Sequence, residues 1–468
     1  SPKEYLELKE TLKTLEVNAR KKPIFLKAEG AAKPKTAADV RVLSDEFDYD
    51  IADATSWTLT RTVRKQVLTY KGKKDSGELK FDYNPAMGDA KLLSASVKTG
   101  DKVQTISEKE INLMDQGWVA SAPRYPAGKT LVASLPGVEI GSIIEYTYRQ
   151  AFTNRPFVAA RLSFRAHDPI DRRVVRVKAP RSLRLDTELI HGEALTVTKT
   201  RDGNATTYEW TATEQAAVKQ ENHLPPWWSF NPTVFLGSGN WRTYAKQVRG
   251  VLLAATNADE LAKAKATELL ATAKTKHEQV IAIRDFVVKS IRGAGPSFNN
   301  LPLTAIAKAD TVLSDGYGNG ADRAVLLYAL LRHAGLKPEF VLASWTPKVR
   351  DLREQLLDHP AAYLFPDVLV RVKLAGQQIL LNDTNQYAPL GSFAHEDRAG
   401  LFLRSGRVKI LAPEESLRNR TERDYDLTID AAGNATIRKT TRYYGGSHGS
   451  RKKFYGELPP EERRRHFQ

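Results

Sequence analysis

The stretch GYGNGADRAVLLYALLRHAGLKP, residues 316–338, runs from a glycine-rich turn into an apolar helix that Gly335 and Pro338 then end. A helix start of this kind suits a nucleophile. The free backbone N–H groups and the positive end of the helix dipole favour an anion, and a cysteine placed there is held as thiolate. A histidine would serve as base, with an acid fixing its tautomer. Here the turn offers only Gly320 and Ala321, which can attack nothing, and the chain contains no cysteine. Thiolate nucleophiles, disulfides and cysteine-ligated metal centres are therefore excluded. Ser314 and Tyr317 lie close by without an evident base. Asp315, Asp322, Asp367 and Asp383 match no calcium-loop spacing, and no His-x-x-x-His pattern exists, so no metal or cofactor is expected. Asn319 and Asp322 fit better as caps of the helix.

The elements that must position this turn follow from periodicity. Residues 1–35 are lysine-rich, with Tyr5, Leu8, Leu12 and Leu15 at helical spacing, and read as a short helix and a Pro/Ala/Lys linker. From 36 to 236 short alternating runs separated by Gly, Asn, Asp and Pro predict an antiparallel β-sandwich, including a hairpin turning at Asp202-Gly203-Asn204. NHLPPWWSFNP breaks all periodicity and is expected to bridge two domains. Trp227 and Trp228 within it are candidates for a ligand platform or for packing between the domains. Residues 237–415 read as α+β. One amphipathic helix presents Val280, Ile283, Val287 and Ile291, the helix after the glycine turn is apolar nearly all round, and DVLVRVKLAGQQILLND forms a hairpin at Ala375-Gly376. Residues 416–468 begin with a hairpin around Gly433-Asn434 and read as the start of a C-terminal β domain.

The chain of 468 residues carries a formal charge of +16, with lysines and arginines spread along its length. Its densest basic runs, Arg172–Lys178, Arg451–Lys453 and Arg463–Arg465, belong to no nucleic-acid motif, so no specific nucleic acid is expected. No window has the apolar length of a membrane span. Ser1-Pro2-Lys3 carries no signal peptide, and the chain reads as mature or trimmed.

The segment 237–415 resembles the transglutaminase-like superfamily, whose core has a papain-like plan. Its members carry a cysteine in a GDCKDKA-type turn, a histidine opening the next strand and an acid before Pro-Thr on the strand after it. GNGADRA lies on the turn, FPDVLVRV on the histidine strand and NDT on the acid. The resemblance thus puts Gly320, Asp367 and Asn382 at the three catalytic positions, while Asp322, Ala324, Thr384 and Gly335 still fit the scaffold. Residues 36–236 resemble the domain of unknown function that precedes such domains in bacterial envelope proteins, most clearly in LVASLPGVEIGSIIEYTYR.

The resemblance implies a degenerate triad and no enzyme activity. It implies a periplasmic or extracellular binding or structural module that takes a peptide, protein or glycan in the old cleft. Tyr317, Asn319, Asp322, Asp383, Trp227 and Trp228 are the candidate binding residues. Two other readings remain open: a hydrolase built on an acidic pair such as Asp367 and Asp383, and a basic scaffold for polyanions. His359, eight residues before Asp367, reads as a surface histidine in a loop.

Overall fold

Between Val40 and Gly237, runs of alternating apolar residues form strands. The computed structural model describes residues 38–466, so the helix and linker expected over 1–35 lie outside it. The strands are β1 (Val40–Ile51), β2 (Trp57–Val67), β3 (Glu78–Tyr83), β4 (Gly88–Thr99), β5 (Lys102–Thr105), β6 (Ile111–Asp115) and β7 (Lys129–Ser134). They continue with β8 (Ile143–Phe152), β9 (Ala159–Ser163), β10 (Ile170–Pro180), β11 (Asp186–Ile190), β12 (Thr196–Asp202), β13 (Ala205–Gln215) and β14 (Thr233–Gly237). A short helix, α1 (Tyr70–Asp75), follows β2.

One eight-stranded sheet runs β12-β13-β10-β1-β2-β8-β4-β5, and two three-stranded sheets, β3-β7-β6 and β11-β14-β9, pack upon it. The large sheet is mixed, which corrects the antiparallel expectation: β1 and β10 pair in parallel, with Asp45 opposite Arg173 and Tyr49 opposite Val177. Alternation reports which face of a strand is buried; direction depends on long connections that leave no periodic trace. Leu79, Phe81 and Ala133 of the first small sheet meet Val97, Ile144 and Tyr148. In the second small sheet, Val234 and Leu236 of β14 enter a core with Val175, Val177 and Trp210. Phe235 points the opposite way, as a period of two requires, and joins Phe157, Trp228 and Tyr244 in the core of the α+β region.

That region contains α2 (Trp241–Ala255), α3 (Glu260–Leu270), α4 (Lys276–Ser290), α5 (Ala309–Asp315), α6 (Gly320–His333) and α7 (Arg350–Leu357). Beside a two-residue parallel bridge of β15 (Arg292–Gly293) and β16 (Tyr317–Gly318) lie the strands β17 (Glu339–Ala343), β18 (Asp367–Leu374), β19 (Gln377–Leu381), β20 (Ala399–Phe402) and β21 (Arg407–Ile410). These five form an antiparallel sheet in the order β19-β18-β17-β20-β21. Val280, Ile283, Val287 and Ile291 are all buried, as their spacing predicts. The β18–β19 turn falls at Ala375-Gly376, both with positive φ. Helix α6 is central: Ala321, Ala324, Val325, Leu326, Leu327, Ala329, Leu330 and Leu331 are all buried in one core with β18. Each buried leucine contributes about 2 kcal/mol.

The C-terminal part is a second correction. The hairpin β22 (Thr421–Ile429) and β23 (Ala435–Tyr443) forms as expected, but α8 (Gly445–Glu457) and α9 (Pro460–His466) follow it instead of further strands. Gly445 and Gly449 lie in α8. In the fold they allow close approach, since a Cβ would stand 2.5 Å from the Leu417 carbonyl oxygen at 445 and 2.9 Å from Ala388 Cα at 449. Packing, not propensity, selects the helix there.

Candidate functional site

The start of α6 is held from two sides. Asn319 caps it: its Oδ1 accepts from the backbone N–H of Ala321 at 3.0 Å and of Asp322 at 3.1 Å. Asp322 lies in the first turn, but its side chain does not return to the Asn319 N–H. The Tyr125 hydroxyl, from the loop between β6 and β7, takes that place, accepting from Asn319 N at 2.7 Å and donating to Asp322 Oδ2 at 2.5 Å. Arg124 Nη2 reaches the same carboxylate at 2.7 Å, and the Ala307 N–H reaches its other oxygen at 2.9 Å. Burial, then the charge of Asp322, pushes the Tyr125 phenol well above its ordinary value. Arg124 also pairs with Asp315, while the Tyr317 hydroxyl accepts from the Arg124 N–H at 3.0 Å. Asp322 and Tyr317 thus serve to bind this loop to the helix.

Gly320 opens α6 in free space: a Cβ built there meets no heavy atom within 4 Å outside its own helix and chain neighbours. Asn382, just after β19, donates its Nδ2 to the carbonyls of Gly320 and Val368, each at 2.8 Å. It does so from a left-handed backbone with φ of 93°, and its Oδ1 is buried without a partner. Gly320, Asn382 and Val368 near the start of β18 therefore meet.

Asp367 opens β18 and leads to a residue the sequence did not single out. Its Oδ2 accepts from the Trp345 indole N–H at 2.7 Å and from His395 Nε2 at 3.0 Å. His395 Nδ1 lies 3.0 Å from Asp383 Oδ2, which also accepts from the Ala394 N–H at 2.8 Å. The imidazole is 2% exposed and clamped between carboxylates that are 5% exposed at Asp383 and 41% exposed at Asp367. Burial alone would lower its pKa; hydrogen bonds to Asp367 and Asp383 and their charges outweigh burial and raise it to about 9. Burial would likewise raise Asp367, yet the bonds from His395 and Trp345 hold it below the usual carboxylate range. Trp345 covers the imidazole at 4.3 Å between ring centroids and is itself 54% exposed.

His395 sits in SFAHEDRAG, a loop with no periodicity, twelve residues after Asp383 and twenty-eight after Asp367. Only tertiary structure brings the three together. Trp345 likewise follows β17 without a motif to mark it.

The remaining candidates lie elsewhere. Trp228 is buried against Phe235, where the second small sheet meets the α+β core, whereas Trp227 donates to Ser163 Oγ at 3.0 Å and lies against His167 and Phe230. His359 stacks on Phe235 at 4.3 Å. The basic run on β10 faces carboxylates: Arg172 pairs with Glu46, Arg173 with buried Asp45, and Arg176 with Glu46, Asp48 and Glu209. Among the described residues no group of side chains has the arrangement of a metal site, and no helix is long and apolar enough to cross a membrane.

Residues 53–219 match the family described as a Domain of Unknown Function with solved-structure structure, DUF3857. No curated protein matches the chain. Among solved structures, a candidate protease from Parabacteroides distasonis aligns with 80% of this chain and 72% of its own, at 18% identity and a TM-score of 0.66. The two share a fold. A candidate cysteine protease from Cytophaga hutchinsonii aligns over 84% of this chain and 91% of its own at 11% identity, with a TM-score of 0.21 that carries no argument.

Proposed function

We propose that this chain is a non-catalytic binding module on a transglutaminase-like, protease-related scaffold. The reading rests on one observation: both ring nitrogens of His395 lie 3.0 Å from carboxylate oxygens, so neither is turned toward Gly320 to serve as a base there. Gly320, at the helix start, adds no nucleophile. The cluster of Asp367, His395 and Asp383 carries a net negative charge under an exposed indole, a surface for hydrogen-bonding and stacking a peptide or glycan. An acid-pair hydrolase is disfavoured, because Asp367 and Asp383 both turn an oxygen onto the same imidazole. The superfamily resemblance supports a place in the bacterial envelope, which fractionation of the source cell would test.

The test of function uses the full chain with fluorogenic peptides, a protein substrate and an amine-incorporation assay. No turnover above the blank is expected. Turnover that disappears on Asp367→Asn or Asp383→Asn would overturn the reading.

A further inference from the structure

At the β12 edge of the eight-stranded sheet lies a cleft of about 470 Å³, between the outer strands and the connection from β10 to β11. Strand register puts its floor residues on one face. Lys199 pairs with Tyr208 and Arg201 with Thr206, while Ala179 of β10 stands beside Thr206 on the other side. The facing wall carries Arg181, Leu183, Arg184 and Leu185. Its backbone is tied down: the Arg181 N–H donates to the Asn204 carbonyl at 2.8 Å and the Leu183 N–H to the Pro180 carbonyl at 3.0 Å.

The charge here differs from that of the neighbouring strand. On β10, Arg172, Arg173 and Arg176 each meet a carboxylate. In the cleft Arg184 pairs with Asp186 at 3.2 Å on the exposed rim. Among the described residues Arg181, Lys199 and Arg201 have no carboxylate partner, and Lys199 Nζ stands instead 4.7 Å from the centre of the Tyr208 ring. Asp202, next along β12, alternates to the opposite face. Like charges gathered on one face repel, so folding alone gains nothing by collecting them. Thr206 adds an independent observation. It is 8% exposed, and its hydroxyl has no hydrogen-bond partner among the described residues and is not sealed from solvent; the surface it keeps opens into the cleft. A hydroxyl buried to this degree normally has a partner.

We propose that this cleft binds a phosphate group carried on a small organic body. Three unmatched cations and an unpartnered hydroxyl call for an oxyanion with more than the two oxygens of a carboxylate. A phosphate monoester brings about two charges near neutrality and three acceptor oxygens, which guanidinium forks hold in bidentate fashion. The volume exceeds what the anion alone fills, and Leu183, Leu185 and the Tyr208 ring offer an apolar surface to the group that bears it. The site shares no residue with the His395 cluster and does not depend on the function proposed above. A soluble phosphate ester and a phospholipid headgroup present the same chemistry to it.

The experiment is calorimetry of the full chain with phenyl phosphate and with benzoate, and cosedimentation with phosphatidylcholine vesicles with and without phosphatidic acid. Both are run at about 150 mM salt, where diffuse attraction to a chain of charge +16 is screened. Arg181→Gln combined with Arg201→Gln is expected to weaken binding at least about 10-fold through loss of charge-assisted pairs. Thr206→Val is expected to weaken it about 5-fold with the thermal midpoint unchanged, since the hydroxyl has no partner in the fold to lose. Lys452→Ala combined with Lys453→Ala removes the same charge from α8 and is expected to leave affinity within about 2-fold. Saturable binding of phenyl phosphate with this pattern identifies a soluble ester as the source. Where phenyl phosphate is inert, binding to the phosphatidic acid vesicles with this pattern identifies a lipid headgroup. Binding of neither probe by the folded wild type overturns the proposal. So does, for whichever probe binds, equal affinity in either site variant, equal loss in the α8 variant, or benzoate bound as tightly as phenyl phosphate.

Discussion

Replacing Asp383 by Asn removes the more deeply buried of the two carboxylates that clamp His395. In the wild type the imidazole pKa is raised from 6.5 to about 9. That gap, at about 1.4 kcal/mol per pH unit, corresponds to on the order of 3 kcal/mol of native-state stabilisation of the charged ring. The sign follows from the direction: with the folded value above the unfolded one, the contribution is complete below about pH 6.5 and is lost as the pH rises through about 9. In Asp383→Asn only Asp367 remains as an anionic partner, and it is 41% exposed and screened by solvent. The folded pKa should then fall back toward or below 6.5. The difference in stability between wild type and variant should be about 2–3 kcal/mol near pH 6 and shrink to under about 1 kcal/mol above the wild-type pKa. Urea unfolding across this range measures the difference, and the His395 ring resonances in an NMR titration report the pKa directly. A wild-type His395 that titrates near its ordinary value, or a difference that grows with pH, would refute the clamp.

Gly320→Cys should leave stability within about 0.5 kcal/mol, because its Cβ enters open space, and should create a thiol that iodoacetamide modifies in an otherwise thiol-free chain. It should add no amide hydrolysis or transamidation, since His395 has no free nitrogen; turnover in this single variant would show the ring to be available as a base. Tyr125→Phe removes the hydroxyl that joins Asn319 N to Asp322 and should cost about 1–3 kcal/mol in urea unfolding, with no loss contradicting the role given to that loop. Phe235→Ala should cost about 3–5 kcal/mol and lower a single cooperative transition; two separated transitions would show that the sandwich and the α+β core unfold independently.

Much of the fold is legible in the sequence because periodicity reports burial directly. The heptad-like spacing of Val280 to Ile291 and the unbroken apolar run of α6 each have one physical solution. Strand partnership is less legible: nothing in VRVLSDEFDYDI announces that β1 runs parallel to a strand begun some 130 residues later. At the site, the Gly320–Asn382 contact is one that the family resemblance, not periodicity, leads one to expect. His395 does not, because a buried imidazole in a loop is fixed by partners that folding alone brings near. Asp322 shows the converse. The sequence marks it as a cap, but a tyrosine from a distant loop takes the N–H that a local cap would have used.

Strand β14 shows Val234 and Leu236 to one interior and Phe235 to another. It is a party wall, and neither household can be demolished without opening the other. A fragment ending at residue 236 would strip Phe235 of His359 and of the α+β core, and one beginning at 237 would lack a side of its interior. The composition break near NHLPPWWSFNP therefore marks no seam at which the protein can be cut and shuffled. A protease that nicks the connecting loop should release nothing, because the severed parts stay joined through side chains instead of backbone.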